Sequence, residues 1–173
     1  LAASPPLAQR NGLPGFHYVE RQAVFGGLAL MAMTVTSMLS PLTIRRLATI
    51  AFGITFVSLV LLPIFGTDFG KGATRWYSLG FASVQPSEFI KPTFVVFSAW
   101  LISVSFEING PPGRLISFAI SVVIAIFLIL QPDFGQASLV MFAWGVMYFC
   151  AGAPFLLIIS MAGITVLIGF FAY

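Results

Sequence analysis

The chain has 173 residues, of which 59% are hydrophobic and only 8% charged, with a formal net charge of +3. A soluble domain carries about a quarter charged residues, so these few charges cannot clothe a water-facing surface of this size. The basic residues are too scattered for nucleic-acid binding, and the one cysteine, Cys150, excludes an internal disulfide or a cysteine metal cluster. In chain order, residues 1–22 read as a loop, ending in an interfacial stretch with His17 and Tyr18 in which nothing pairs His17 with a metal ligand. Apolar runs follow at about 23–39, 47–65, 89–105, 115–130, 137–151 and 155–173. A bilayer crossing needs roughly 17–25 residues, and the fourth and fifth runs are short for it. The runs show no period-2 alternation, which argues against a β-barrel. In lipid the alternative is helices, whose backbone groups are satisfied internally. The expected fold is all-α, a single polytopic transmembrane domain over 1–173, with about six helices. Cys150, in an apolar stretch, reads as a small buried hydrophobe. The chain opens at Leu1 rather than Met and stops within an apolar run, so it is expected to be a piece of a longer protein.

The polar breaks alternate between two faces. Face one holds 1–22, 66–88 and 131–136; face two holds 40–46, 107–114 and 152–154. Arg10, Arg21, Lys71, Arg75 and Lys91 fall on face one, and Arg45, Arg46 and Arg114 on face two. A count of positive charges puts face one inside the cell by a small margin, whereas the tight Arg45-Arg46 pair argues for face two.

The chemistry-bearing stretch runs from Lys71 to Trp76 and on through Gln85-Pro86-Ser87-Glu88 to Lys91. Lys71 and Arg75 with Trp76 at a membrane boundary suit an anionic, lipid-linked head group. The same residues also suit a plain interfacial anchor. Gln85-Pro86 and Gln131-Pro132 each open an apolar run, followed by Glu88 or Asp133. Proline fits the first helical turn, and an acid there suits the helix dipole. Both helices should start on face one beside the basic loop, so two helix N-termini and several cations converge there, an arrangement that favours a diphosphate. Glu88 and Lys91 stand i,i+3 and can pair, while an ionisable Lys91 inside an apolar run is costly and often functional. Asp133 reads either as a cap or as an orienter of a cation. No P-loop, dinucleotide fingerprint, His-Glu-x-x-His or serine elbow is present.

Gly72-Ala73-Thr74-Arg75-Trp76, then Gln85 to Pro92, and later Gln131-Pro132-Asp133-Phe134-Gly135, resemble the paired signatures of the shape, elongation, division and sporulation (SEDS) family. Gln85 to Pro92, Ala99-Trp100 and the run Gln131 to Gln136, with Phe16 to Gln22 and Ala151 to Pro154, resemble the division branch of that family in alphaproteobacteria. Thr74 departs from the usual form of the first signature, where a small residue or Arg is common. The resemblance implies a fold of ten helices when complete, of which this chain would carry about the second to the seventh. Face one, with loops 1–22 and 66–88, would be periplasmic and face two cytoplasmic.

It further implies a multi-pass protein of the bacterial inner membrane, at the division septum. The implied activity is peptidoglycan glycosyl transfer, polymerising lipid II together with a class B penicillin-binding protein and other division proteins. A lipid II flippase and a non-catalytic scaffold are the alternatives. On this template the substrate-binding residues are Lys71, Arg75, Trp76, Gln85, Ser87, Glu88 and Lys91, supported by Pro86, Gln131, Pro132, Asp133 and Gly135. The family's proposed catalytic Asp would lie beyond Tyr173, and Asp68, Glu88 and Asp133 match other positions. The 173 residues alone are therefore expected to be inactive. No tightly bound cofactor is implied; a dependence on divalent cations is, although no ligand cluster is visible in the sequence.

Overall fold

The computed structural model describes residues 16–67, 75–78 and 83–153, together with Ile159, Ser160 and Gly163. Lys71, Asp68 and most of the sixth apolar run lie outside the described residues. The elements are α1 (His17–Ser37), α2 (Pro41–Phe65), β1 (Tyr77–Ser78), β2 (Ser83–Val84), α3 (Pro86–Val104), α4 (Gly113–Leu130) and α5 (Phe134–Cys150). The chain divides into two compact units, Leu1–Ile44 and Arg45–Tyr173.

In the first unit, α1 starts at His17, six residues before its apolar run, so residues 17–22 are helix rather than loop. The reason is local: Glu20, Arg21 and Gln22 are good helix formers, and Glu20 in the first turn complements the dipole. Ser40 precedes Pro41, the first residue of α2, and its hydroxyl accepts the Thr43 N–H at 3.2 Å, an N-cap followed by proline at the first helical position.

The other helices likewise begin ahead of their apolar runs, because polar turn residues form the first turn where the chain leaves the hydrocarbon. Residues 86–88, expected in the loop, are the first turn of α3. Helices α2, α3 and α4 are long and apolar enough to cross a membrane, while α5 has only 17 residues, about 26 Å of helix against a hydrocarbon core of about 30 Å. Helix α5 closes on Gly152, whose positive φ of 87° lets Gly152 and Ala153 donate back to Phe149 and Tyr148, a left-handed C-terminal cap that glycine adopts without steric cost.

In the second unit one core joins α2 to α5. Leu59, Ile90, Phe94, Ile124, Leu128, Val140 and Trp144 are buried together. Phe52 of α2 stacks on Phe97 of α3 with ring centroids 4.7 Å apart. Trp144 of α5 donates from Nε1 to the Ser117 hydroxyl of α4 at 3.0 Å, which settles an indole N–H that would otherwise be orphaned away from water. Outward positions such as Ile54, Ile64, Leu130 and Phe142 are apolar and exposed, as lipid-facing positions should be. Cys150 is exposed rather than buried, for the same reason: in a membrane-spanning segment apolar residues face outward as readily as inward.

Association in lipid depends on close packing rather than on burial from water, and small residues supply it. Ser98, Ser117 and Ser121 are buried at the interfaces. Gly113 marks the tightest crossing, since a Cβ there would lie 1.8 Å from the carbonyl oxygen of Leu101. Gly113→Ala must push α4 away from the α3 backbone, and is expected to cost about 2–3 kcal/mol. A fall in the detergent melting temperature of the intact protein checks this.

Candidate functional site

On face one, the loop before α3 folds as a small hairpin. Tyr77 and Ser78 pair antiparallel with Val84 and Ser83, and Thr67 N–H donates to the Trp76 carbonyl at 2.9 Å. Tyr77 pins the hairpin to α2: its hydroxyl donates to the Ser58 carbonyl at 2.8 Å. Burial raises the Tyr77 pKa, so the phenol stays protonated and able to donate throughout the neutral range. Trp76, next to it, remains 37% exposed, leaving an aromatic face open at this end of the bundle.

Arg75 joins the two signature segments. Its Nε donates to the Gln131 carbonyl at 2.8 Å, and its Nη2 to the Pro132 carbonyl at 2.9 Å. Helix α4 ends at Leu130 with Gln131 as its C-cap, so the guanidinium sits where the helix leaves carbonyls unpaired and where the dipole favours a cation. Arg75 thus closes α4 and docks the hairpin with one side chain. Two of the five N–H groups of a guanidinium are used this way.

A second tie holds α3 to α5. Lys91 Nζ donates to Glu88 Oε2 at 2.7 Å and to Gln136 Oε1 at 2.6 Å. Gln136 Nε2 completes the triangle by donating to Glu88 Oε1 at 3.0 Å. The i,i+3 pair of α3 is therefore locked to the first turn of α5. The Lys91 and Glu88 side chains remain 20% and 50% exposed, so the network borders an open surface.

The structure therefore brings Arg75, Glu88, Lys91, Gln131 and Pro132 to one end of four helices, with Trp76 on the same hairpin as Arg75. Pro86 is the first residue of α3, with Gln85 as its N-cap in extended conformation and without a side-chain cap bond. Asp133 is the N-cap of α5, also without a side-chain cap bond, and Arg75 reaches the carbonyls of its neighbours. Ser87 does not join the open face: it is buried, because it stands three residues from Ile90 and seven from Phe94 on the core side of α3. A Cβ at Gly135 would meet nothing within 4 Å, and nothing in the structure explains the glycine there. Gln131 is 6% exposed, and its side-chain nitrogen has no hydrogen-bond partner among the described residues, an unmet donor beside the Arg75 contact.

Two contributors escaped the sequence reading. Gln136 closes the Gln131–Gln136 run that carries the resemblance, but nothing in that run gives its amide a role. Tyr77 follows Trp76 and passes for another interfacial aromatic. Among the described residues, no group of three or more His, Cys, Asp or Glu side chains is placed to hold a metal ion; Glu88 is engaged by Lys91 and Gln136.

Comparison with known proteins points to one family. The model of the cell cycle proteins FtsW, RodA and SpoVE matches residues 2–173. The chain is similar to a protein of Caulobacter vibrioides named probable peptidoglycan glycosyltransferase FtsW, at 36% identity over 164 residues, covering 94% of this chain and 42% of that protein. Among solved structures it resembles the rod shape determining protein RodA of Thermus thermophilus, with 27% identity and a TM-score of 0.68 over 86% of this chain and 49% of that one. A chain from a structure titled for the coordination of polymerization and crosslinking by a peptidoglycan synthase complex shares the fold, at 24% identity and a TM-score of 0.64, over 86% of this chain and 44% of that chain. The chain spans less than half the length of each of these relatives.

Proposed function

This chain belongs to the FtsW, RodA and SpoVE family of cell cycle proteins, and on that premise we propose that the whole protein is a peptidoglycan glycosyltransferase of the division machinery. It polymerises lipid II in the bacterial inner membrane, at the septum, with a class B penicillin-binding protein as partner and other division proteins around it. In the reaction the 4-hydroxyl of an acceptor sugar attacks the anomeric carbon of the donor. The C–O bond to undecaprenyl diphosphate breaks, and the diphosphate leaves with the bonding electrons. A carboxylate base takes the hydroxyl proton.

The residues described here would hold the lipid-linked diphosphate. The observation that carries this reading is the joining of the two signature segments by Arg75, through the Gln131 and Pro132 carbonyls. That contact brings a guanidinium to the N-terminus of α5, and Lys91 ties the same turn to the N-terminus of α3. Helix N-termini with preorganised cations stabilise charge developing on phosphate oxygens. The unmet amide of Gln131 offers a further donor, and Trp76 an aromatic face for a sugar or for the lipid boundary. Lys71 would add charge from the same loop. A divalent cation would neutralise diphosphate in the same sense, but the described residues provide no ligand cluster for one, and no step depends on it. The penicillin-binding partner is what the resemblance of the signature segments to the family implies.

The test is strand synthesis by the intact protein, reconstituted with its penicillin-binding partner and given labelled lipid II. Trp76→Ala is expected to reduce glycan strands about 10- to 100-fold, as loss of a substrate-positioning contact does. An absence of strands from folded, partner-bound wild type would contradict the polymerase, and a lipid II translocation assay would then separate a flippase from a scaffold.

A further inference from the structure

The opposite end of the second unit carries a separate concentration of charge. Arg45 of α2 lies over the Trp100 ring of α3, its guanidinium carbon 5.5 Å from the ring centroid. Arg114, in the first turn of α4, lies over Phe106, just past the end of α3, at 4.2 Å. Arg46 is exposed beside Arg45. Among the described residues none of these arginines makes an ion pair, the one salt bridge being Lys91–Glu88 at the other end. The Arg114 Nε is buried yet has no hydrogen-bond partner. Neither α2 nor α4 has an acid in its first turn; Glu107, exposed on the loop between α3 and α4, is the carboxylate at this end, and among the described residues it makes no ion pair with the arginines.

Depth decides what such a cluster meets. The apolar run of α2 begins at Leu47 and that of α4 at Leu115. Arg45, Arg46 and Arg114 therefore stand at the edge of the hydrocarbon, level with lipid phosphates. Helix α2 has 25 residues, about 37 Å, longer than the roughly 30 Å core by more than one turn, which leaves room for these arginines in the headgroup layer. Trp100 lies one turn from the end of α3, at the depth where tryptophan prefers the interface. Cation–π contact with Trp100 and Phe106 holds two of the guanidinium groups against the protein, which fixes them with less loss of freedom when an anion arrives.

We propose that this end of the second unit, formed by Arg45, Arg46 and Arg114 around the close of α3, is a binding site for anionic phospholipid headgroups. It is separate from the Arg75 site and does not rest on the glycosyltransferase reading. The ligand class follows from unpaired, preoriented cations at phosphate depth with aromatic surfaces between them; each basic residue there multiplies affinity for an anionic lipid about fivefold.

The test uses the intact protein in detergent with added phosphatidylglycerol or phosphatidylethanolamine, lipid retention being read by native mass spectrometry. Wild type should retain phosphatidylglycerol preferentially. The triple variant R45Q/R46Q/R114Q should bind it about 100-fold more weakly, the product of three such factors. If that variant does not fold, wild-type retention at rising salt replaces it, and a steep loss is expected because exposed charges are screened. Displacement by millimolar inorganic phosphate would show that a free phosphate, rather than a headgroup in lipid, suits the arginines, and would overturn the lipid assignment. Equal retention of the two lipids by wild type, undiminished binding by the folded variant, or retention indifferent to salt would overturn the site.

Discussion

Lys91→Met in the intact protein is expected to lower glycan-strand formation by about 100-fold, the usual effect of removing one preorganised charged donor, at a modest cost in stability. Lys91 is the hub of the Glu88–Lys91–Gln136 triangle. Without it, Glu88 keeps only the neutral Gln136 amide, and the start of α3 is no longer held to the start of α5 by charge. Two charge-assisted contacts disappear, but Glu88 is half exposed, so water replaces much of what is lost. The stability cost is therefore about 1–2 kcal/mol, below that of a fully buried pair. Lys91→Arg keeps the charge and should recover part of the activity. Strand formation and a thermal melt on the same preparations separate the two effects: a folded Lys91→Met protein as active as wild type would remove Lys91 from the site.

Arg75→Ala is expected to be the more damaging to structure. It strips both the Gln131 and the Pro132 carbonyls of their donor, at a helix end whose dipole favours a cation, and it releases the hairpin carrying Trp76. Two hydrogen bonds from a charged group contribute about 3 kcal/mol together, reduced where water reaches the half-buried side chain. Arg75→Lys should restore only part of this, because an ammonium cannot present the planar fork that reaches two successive carbonyls. A drop in melting temperature for Arg75→Ala, with Arg75→Lys in between, is the expected order. Equal melting of all three proteins would show that the contact does not hold the loop.

Much of this was legible in the sequence, and the reasons are specific. Proline at 86 marks the start of α3 because its fixed φ and missing N–H suit only the first turn of a helix. Alternation of apolar runs and breaks puts 66–88 beside 131–136, and Arg75 spans these two segments in the structure. Other features were hidden. The helical start at His17 was missed because polar residues at the headgroup level continue a helix while hydropathy marks only its lipid-facing part. Exposure of Cys150 was missed because a water-based rule for burial fails in lipid. The part played by Arg75 in closing α4 depends on a contact across 56 residues of sequence, which local pattern does not encode. Gln136 is similar: a lone amide in an apolar helix acquires meaning only when Glu88 and Lys91 arrive from another helix.

The central claim, that the two signature segments form one site for a lipid-linked diphosphate, is tested most directly by equilibrium binding of fluorescent lipid II to the intact protein in nanodiscs. Undecaprenyl diphosphate should compete with it. Lys91→Met and Arg75→Lys, each shown to be folded by its helix content, should bind lipid II about tenfold more weakly, or worse, as expected when a charge-assisted hydrogen bond worth about 1.5 kcal/mol or more is lost. Wild-type affinity in both folded variants, or indifference to undecaprenyl diphosphate, would contradict the claim and leave the Arg75 and Lys91 networks as scaffolding alone.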